Sequence, residues 1–254
     1  MKLNYVIATY GGRSPHRERH DRGMTPHILK LHLQQLIIIF TQTTPVIQQV
    51  TIVKPYVPPE NTYPEYYDIQ AELQQLRDLG IQVETVDTTN HTKGVSYSQW
   101  RTAFTAFPDF DYYIVTEDDW CPTLPNFDTL LATGIEDTKA DYLCMWYTSI
   151  AKLKPHAAIS VGILTRHAFS TLQDRFPDKE LDQFGFSVTL EHDLKLIVKD
   201  YSDNGMIYRL PFWETSKGTI FDFTPKSSTA TTTVFAPLHL IHKETYGFTV
   251  TPVG

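Results

Sequence analysis

DYYIVTEDDWC, from Asp111 to Cys121, is the stretch that decides the fold. Its apolar run, Tyr112 to Val115, reads as a buried strand. The run ends abruptly in three carboxylates, Glu117, Asp118 and Asp119, followed by Trp120. In an α/β protein, carboxylates at the tip of a central strand face the crevice where ligands bind. Three like charges repel one another, so a cation is expected among them, and a divalent metal is the simplest. From these residues alone, a solvated acidic turn after a strand explains them equally well.

Upstream, Leu3 to Thr9 is a second β-branched, apolar run that stops at Tyr10, Gly11 and Gly12. It reads as a first strand with a sharp turn at its carboxyl end. Arg13, Arg17, Arg19 and Arg22 follow. A solvated basic loop accounts for most of them; Arg13, nearest the strand end, is the one placed to meet a phosphate. Thr25 reads as the cap of a helix with Pro26 at its first position, carrying Ile28, Leu29, Leu33, Leu36 and Phe40 on one face. Strand signals follow at Val46 to Val53 and Ile81 to Val86, with a helix from Tyr67 to Leu79 between them, stopped by Gly80. This β-α-β-α-β order implies parallel strands joined by crossover helices. Asp87 ends the third strand. Asn90 to Ser98 reads as a polar turn and Gln99 to Phe107 as a helix.

Downstream, strands are expected at Tyr142 to Tyr147 and Ala158 to Leu164, and a helix at Arg166 to Phe176. A further helix is expected over Leu190 to Lys199. Glu191 and Asp193 fall in its first turn, where the helix dipole by itself explains acidic residues. Met206 to Leu210 reads as a late strand. Residues 215–233, rich in Ser, Thr and Lys, read as a mobile loop. The apolar run Val234 to Ile241 contains His239 and is followed by His242.

The chain has 254 residues, enough for one large domain, and its 41% hydrophobic content supplies a core. A formal net charge of -7 argues against generic binding to a nucleic-acid backbone. Cys121 and Cys144 show no metal-type spacing and read as two buried thiols rather than a disulfide. The first residues turn polar too soon for a signal peptide, and no apolar run is long enough for a transmembrane segment. A soluble, cytoplasmic protein is expected, with peripheral association at a membrane left open.

Taken in order, VIATYGG, KGVSYSQWRTAF, YYIVTEDDW, LEHDL and PLHLIH resemble successive motifs of the GT-A type glycosyltransferases, the large inverting family with a DXD-like motif. The resemblance runs from Leu3 to His242. It implies a single α/β, Rossmann-like domain over residues 1–254, with a mostly parallel central sheet flanked by helices. Residues 1–120 would form the nucleotide-sugar-binding half, and residues 121–254 the acceptor-binding half with the mobile loop. Thr9, Tyr10, Gly11, Arg13, Asp87, Lys93, Arg101, Glu117 and Asp118 would contact the donor. Asp119, with His242 or His239, would hold Mn2+ or Mg2+. Glu191, with Asp193 as the competing residue, would be the catalytic base. Trp120 and Trp213 are placed to touch the acceptor, because sugars stack their apolar faces on aromatic rings, whereas Trp100 and Trp146 read as core. The implied reaction moves a sugar, from a UDP-sugar first, to a hydroxyl of a glycan or similar acceptor. A sugar nucleotidyltransferase, or a non-catalytic carbohydrate- or nucleotide-binding protein of the same fold, are the alternatives.

Overall fold

The computed structural model describes residues 1–9, 11, 28–57, 59–88, 95–118, 120–122, 125–148, 156–172, 195–200, 208–211, 224–225, 233–234, 240–242 and 248–249. The first half follows the expected alternation. Strand β1 (Leu3–Ala8) leads to α1 (Ile28–Gln42), β2 (Gln49–Lys54), α2 (Gln70–Asp78), β3 (Gln82–Asp87), α3 (Val95–Ala106) and β4 (Tyr112–Glu117). All six residues of β1 are buried, which is why it reads as an apolar run interrupted by Asn4 and not as an alternating one. Two short 3-10 turns, Pro59–Asn61 and Pro64–Tyr67, occupy the proline-rich connection after β2.

The second half adds β5 (Trp120–Pro122), α4 (Phe127–Thr138), β6 (Tyr142–Thr148), β7 (His156–Thr165), α5 (Arg166–Leu172) and β8 (Val198–Asp200). Short strands follow: β9 (Tyr208–Pro211), β10 (Thr224–Pro225), β11 (Thr233–Val234), β12 (Leu240–His242) and β13 (Phe248–Thr249). Among the described residues the main sheet has seven strands in the order β3-β2-β1-β4-β7-β6-β8. It is parallel except at β7, which runs against both β4 and β6. A small sheet, β11-β9-β12-β5, carries the strand that follows the acidic tip.

Two apolar layers sandwich the main sheet. Leu3, Tyr5 and Ile7 of β1 face Leu33 and Leu36 of α1, Leu73 and Leu76 of α2, and Phe127 and Leu131 of α4. Val6 and Ala8 face the other way, toward Trp100 and Phe104 of α3 and Phe169 of α5. The period of two in the strand and of 3.6 in the helices produces this division. The Phe104 and Phe169 rings stack at 5.1 Å between centroids.

One expected helix is corrected. In the segment 190–199, the described residues from Lys195 onward carry no helix, and Val198 to Asp200 form β8, paired in parallel with Tyr142 to Cys144 of β6. Lys195 is exposed, Leu196 buried and Ile197 exposed, an alternation of period two inside a run short enough to read either way. Completing the sheet edge decided it. Glu191 and Asp193 lie outside the described residues. Helix α3 begins at Val95, earlier than the expected Gln99, and takes in residues first read as a turn. Within the segment 215–233, Thr224 and Pro225 pair with Thr249 and Phe248 of β13, and Thr233 pairs with Arg209 of β9; its other residues lie outside the described set.

Gly162 of β7 lets β6 pack closely on this antiparallel strand. A Cβ there would come within 2.5 Å of the Tyr142 ring and 2.6 Å of the Leu143 carbonyl oxygen. Backbone cannot yield as a flexible side chain does. Gly162→Ala should therefore destabilise the protein by about 2–3 kcal/mol, the scale of core overpacking. For a chain of this size that lowers the melting temperature by roughly 5–10 °C. A calorimetric scan that finds the variant melting with the wild type would show that the sheet has slack at this point.

Candidate functional site

Strand order places the site. β1 has β2 and β3 on one side and β4 on the other, so the order in which strands are added reverses between the parallel neighbours β1 and β4. In open α/β sheets, ligands bind outside the carboxyl ends at such a switch point. Ala8 and Glu117 are register partners across it, and the Asp118 N–H donates to the Ala8 carbonyl at 2.9 Å. Thr9 and Gly11, which continue β1, therefore lie beside the acidic tip of β4. Asp87 ends β3 on the same rim, exposed, opposite Lys54 of β2.

Thr9 is buried, and its groups are engaged within the fold. Its backbone N–H donates to Gln99 Oε1 at 2.8 Å, and Gln99 Nε2 returns a hydrogen bond to the Thr9 carbonyl at 2.8 Å. Its hydroxyl donates to the Val53 carbonyl at 2.7 Å, so at 2.8 Å it accepts from the Tyr67 hydroxyl. Thr9 thus shapes the rim through Gln99, Val53 and Tyr67. Gly11 has φ +65, and a Cβ there would come within 2.8 Å of the Tyr67 hydroxyl. Both the backbone conformation and the close approach of Tyr67 require glycine at this position.

The carboxylates of the tip have different surroundings. Glu117 is half-buried and accepts a 2.5 Å hydrogen bond from the Ser96 hydroxyl at the start of α3. Asp118 is 1% exposed and accepts from the Tyr66 hydroxyl, which the 3-10 turn Pro64–Tyr67 delivers. A buried carboxylate needs such a donor, since desolvation without one is costly. Asp119 lies outside the described residues. So do Tyr10, Arg13, Lys93, His239 and Trp213. Arg101 is half-buried farther along α3. Trp100 is core, as expected, and its indole N–H donates to the Thr116 carbonyl at 3.3 Å.

Behind Asp118 stands His32 of α1. Its Nδ1 lies 3.1 Å from the Asp118 carbonyl, which can only accept, so Nδ1 carries the proton. Its Nε2 then accepts from the Tyr5 hydroxyl at 2.8 Å. Burial lowers the His32 pKa from 6.5 to about 4, against the opposing influence of the Asp118 carbonyl and carboxylate. The ring is therefore neutral in the folded protein. Between about pH 6.5 and 4 the unfolded chain binds a proton that the folded chain refuses, so stability falls as pH falls through this window. The full loss is about 3 kcal/mol. His32→Gln supplies an amide donor and acceptor in place of the ring. It should flatten this part of the stability-against-pH profile relative to wild type, measured by urea unfolding; parallel profiles would place the proton uptake elsewhere.

Tyr67 ties the rim together. Burial raises its pKa above the ordinary phenol value, and the carboxylates of Asp118 and Asp87 add to the rise, against the Thr9 hydrogen bond. It remains a neutral phenol. Lys54 Nζ sits 4.7 Å from the centroid of its ring.

The small sheet brings a distant segment to the tip. His242 of β12 is the register partner of Trp120 of β5, the residue that follows Asp119 in the sequence. Carboxylate oxygen with imidazole is a donor set that suits Mn2+, and carboxylate with water suits Mg2+. Among the described residues, no group of three or more His, Cys, Asp or Glu residues could hold a metal. No helix among them is long and apolar enough to cross a membrane.

Sequence reasoning missed Lys54, Tyr66, Tyr67, Ser96 and Gln99. For Ser96 and Gln99 a signal existed. They share the helical face that carries Trp100 and Ala103, and polar residues on a buried stripe need partners. The tyrosines of the 3-10 turn carry no local signal.

No family model matches the chain, and no curated protein matches it. Solved structures do. The inositol-1-phosphate CTP transferase from T. maritima is similar over 79% of this chain and 84% of that one, at 14% identity and a TM-score of 0.50. S. aureus TarS, residues 1–349, is similar over 80% of this chain and 59% of that one, at 11% identity and a TM-score of 0.46. A UDP-glucose pyrophosphorylase complexed with UDP-glucose is similar over 79% of this chain and 90% of that one, at 10% identity and a TM-score of 0.45. Identities this low speak for fold alone, and the chain has an α/β fold of the kind found in the CTP transferase, with a mostly parallel sheet flanked by helices.

Proposed function

We propose that the protein is a metal-dependent, inverting glycosyltransferase that moves a sugar from a nucleotide-sugar donor, a UDP-sugar first, to a hydroxyl of a glycan or similar acceptor. The observation that carries this reading is the pairing of His242 with Trp120, which brings the late histidine segment alongside the acidic tip. Asp119, with His242 or His239, would hold Mn2+ or Mg2+. Such an ion neutralises charge on a departing diphosphate. Asp87, Glu117 and the turn from Thr9 to Arg13 would line the donor site. Asp118 contributes by fixing the tip, through Tyr66 and His32, so that its neighbours on either side keep their positions. Glu191, or Asp193 in its place, would take the proton from the acceptor hydroxyl as that oxygen attacks the anomeric carbon, which inverts the centre.

A second reading is a sugar nucleotidyltransferase, favoured by the fold shared with the inositol-1-phosphate CTP transferase. The two differ in the bond broken. A glycosyltransferase releases a nucleoside diphosphate from a nucleotide-sugar; a nucleotidyltransferase releases pyrophosphate from a nucleoside triphosphate and a sugar 1-phosphate. Both products can be followed with the wild-type protein, manganese and either substrate set. Diphosphate release that depends on an added hydroxyl acceptor supports the first reading, and pyrophosphate release replaces it with the second. Release of free sugar at an unchanged rate without acceptor would point to a hydrolase.

A further inference from the structure

The ladder between β1 and β4 ends at Ala8 and Glu117, closed by the Asp118 N–H on the Ala8 carbonyl. Beyond it the ladder no longer sets the spacing of the two chains, and side chains take over. Helix α3 holds one residue of each, Thr9 through Gln99 and Glu117 through Ser96. The 3-10 turn Pro64–Tyr67 reaches further along both. Just before it, the Tyr63 N–H donates to the Gly11 carbonyl at 3.2 Å. The Tyr67 hydroxyl bonds the Thr9 hydroxyl at 2.8 Å, and the Tyr67 ring lies against the Gly11 backbone, where a Cβ would come within 3.0 Å of a ring carbon. The neighbouring Tyr66, 0% exposed, donates to the Asp118 carboxylate. The two tyrosine rings meet edge to face, 4.8 Å between centroids. Consecutive residues of one turn therefore grip opposite sides of the switch point.

Local chemistry makes this turn stiff enough to act as one piece. Pro64 at its first position sets φ in advance. The Tyr66 and Asp68 N–H groups return to the Tyr63 and Glu65 carbonyls, each at 3.1 Å. The Tyr66 ring is packed in the same apolar layer as α1 and α2, so it cannot swing away from the tip. We infer that Tyr66 and Tyr67 are positioning residues that work as one unit, setting the donor turn after β1 against the acidic tip of β4. The inference rests on the reading proposed above, in which Gly11 belongs to the donor turn and Asp119, next to Asp118 in the chain, to the ion. A diphosphate and its metal must meet at one spacing, and the turn holds that spacing. Neither hydroxyl has to touch the ligand, because each is engaged within the fold. A hydroxyl lost from either tyrosine frees the turn from one side and so misaligns both.

The test is a double-mutant cycle on nucleotide affinity, measured by isothermal titration with manganese on the wild type, Tyr66→Phe, Tyr67→Phe and the double variant. The nucleotide is whichever of UDP, GDP, TDP and CDP the wild type binds most tightly. Phenylalanine keeps both rings and their edge-to-face contact, so only the hydroxyl bonds change. Each single variant should weaken the nucleotide by about 3–10-fold, the scale of one hydrogen bond. The double variant should weaken it by that same factor and not by its square, because the first loss already frees the turn. Losses that multiply would make the tyrosines two independent pins and overturn the inference. Variants that melt lower but bind as the wild type does would confine the pair to stability, which also overturns it. If Tyr66→Phe melts too low to titrate, Pro64→Gly takes its place in the cycle. That change keeps both hydroxyls and loosens the turn that carries them, and the same criteria apply. A wild type that binds none of the four nucleotides would defeat the nucleotide reading itself. That result is distinct from a wild type that binds one of them with an affinity indifferent to the tyrosines.

Discussion

Asp119→Ala should abolish the metal-dependent part of nucleotide binding. For the wild type, a nucleotide at about 100 times its Kd, with manganese present, adds about 2.7 kcal/mol to the stability of the native state. In a chain of this length that raises the melting temperature by roughly 5–10 °C. The shift should need both nucleotide and metal, and it should vanish in Asp119→Ala while the unliganded melting temperature stays unchanged. The choice of residue follows from the resemblance, in which Asp119 takes the position of the metal ligand; Glu117 accepts from Ser96, and Asp118 is buried against Tyr66. A screen of UDP, GDP, TDP and CMP, each with and without manganese, names the nucleotide. If the wild type shifts with none of them, the metal-dependent donor site is ruled out and the non-catalytic reading takes over.

Glu191→Gln carries the second large effect. As the base it should account for a rate factor of about 10²–10⁴, the usual contribution of a positioned proton acceptor. Glutamine is nearly the same shape but cannot take the proton. The variant should therefore bind nucleotide and manganese as the wild type does and fail in transfer. Asp193→Asn is the control. If it loses transfer while Glu191→Gln does not, the two residues exchange roles. The stereochemistry of the product is an independent check, because direct attack assisted by a base inverts the anomeric centre. A product with retained configuration would remove both residues from the base role, whatever the size of the mutational losses. Of the helix expected over Leu190 to Lys199, the described residues from Lys195 onward form none and run into β8, while both acids lie outside the described residues.

Local pattern was legible where the physics is local. Leu3 to Ala8 and Tyr112 to Val115 announce buried strands because a strand covered on both faces must be apolar on both. The alternation of strands and helices up to β4 announces a parallel sheet, and a parallel sheet announces that its carboxyl ends carry the ligand. Asp87, Glu117 and Asp118 could therefore be placed on one rim from the sequence. Their division of labour could not. Whether Asp118 faces a ligand or Tyr66 depends on a 3-10 turn far away in the chain, and whether Thr9 offers its groups outward depends on Gln99 from α3. The segment KLIVKD, Lys195 to Asp200, shows the same limit for secondary structure. Its apolar residues suit a helix or a strand, and an open edge at β6 settled the choice. By itself the sequence determined the fold class, the strand ends that form the rim and the residue types gathered there. Tertiary structure alone decided that β7 enters antiparallel between β4 and β6, that His242 pairs opposite Trp120, and that Lys54 lies over Tyr67. Periodicity within a segment fixes which face a side chain leaves by. Strand order and register, set by hydrogen bonds between distant segments, fix what it meets there.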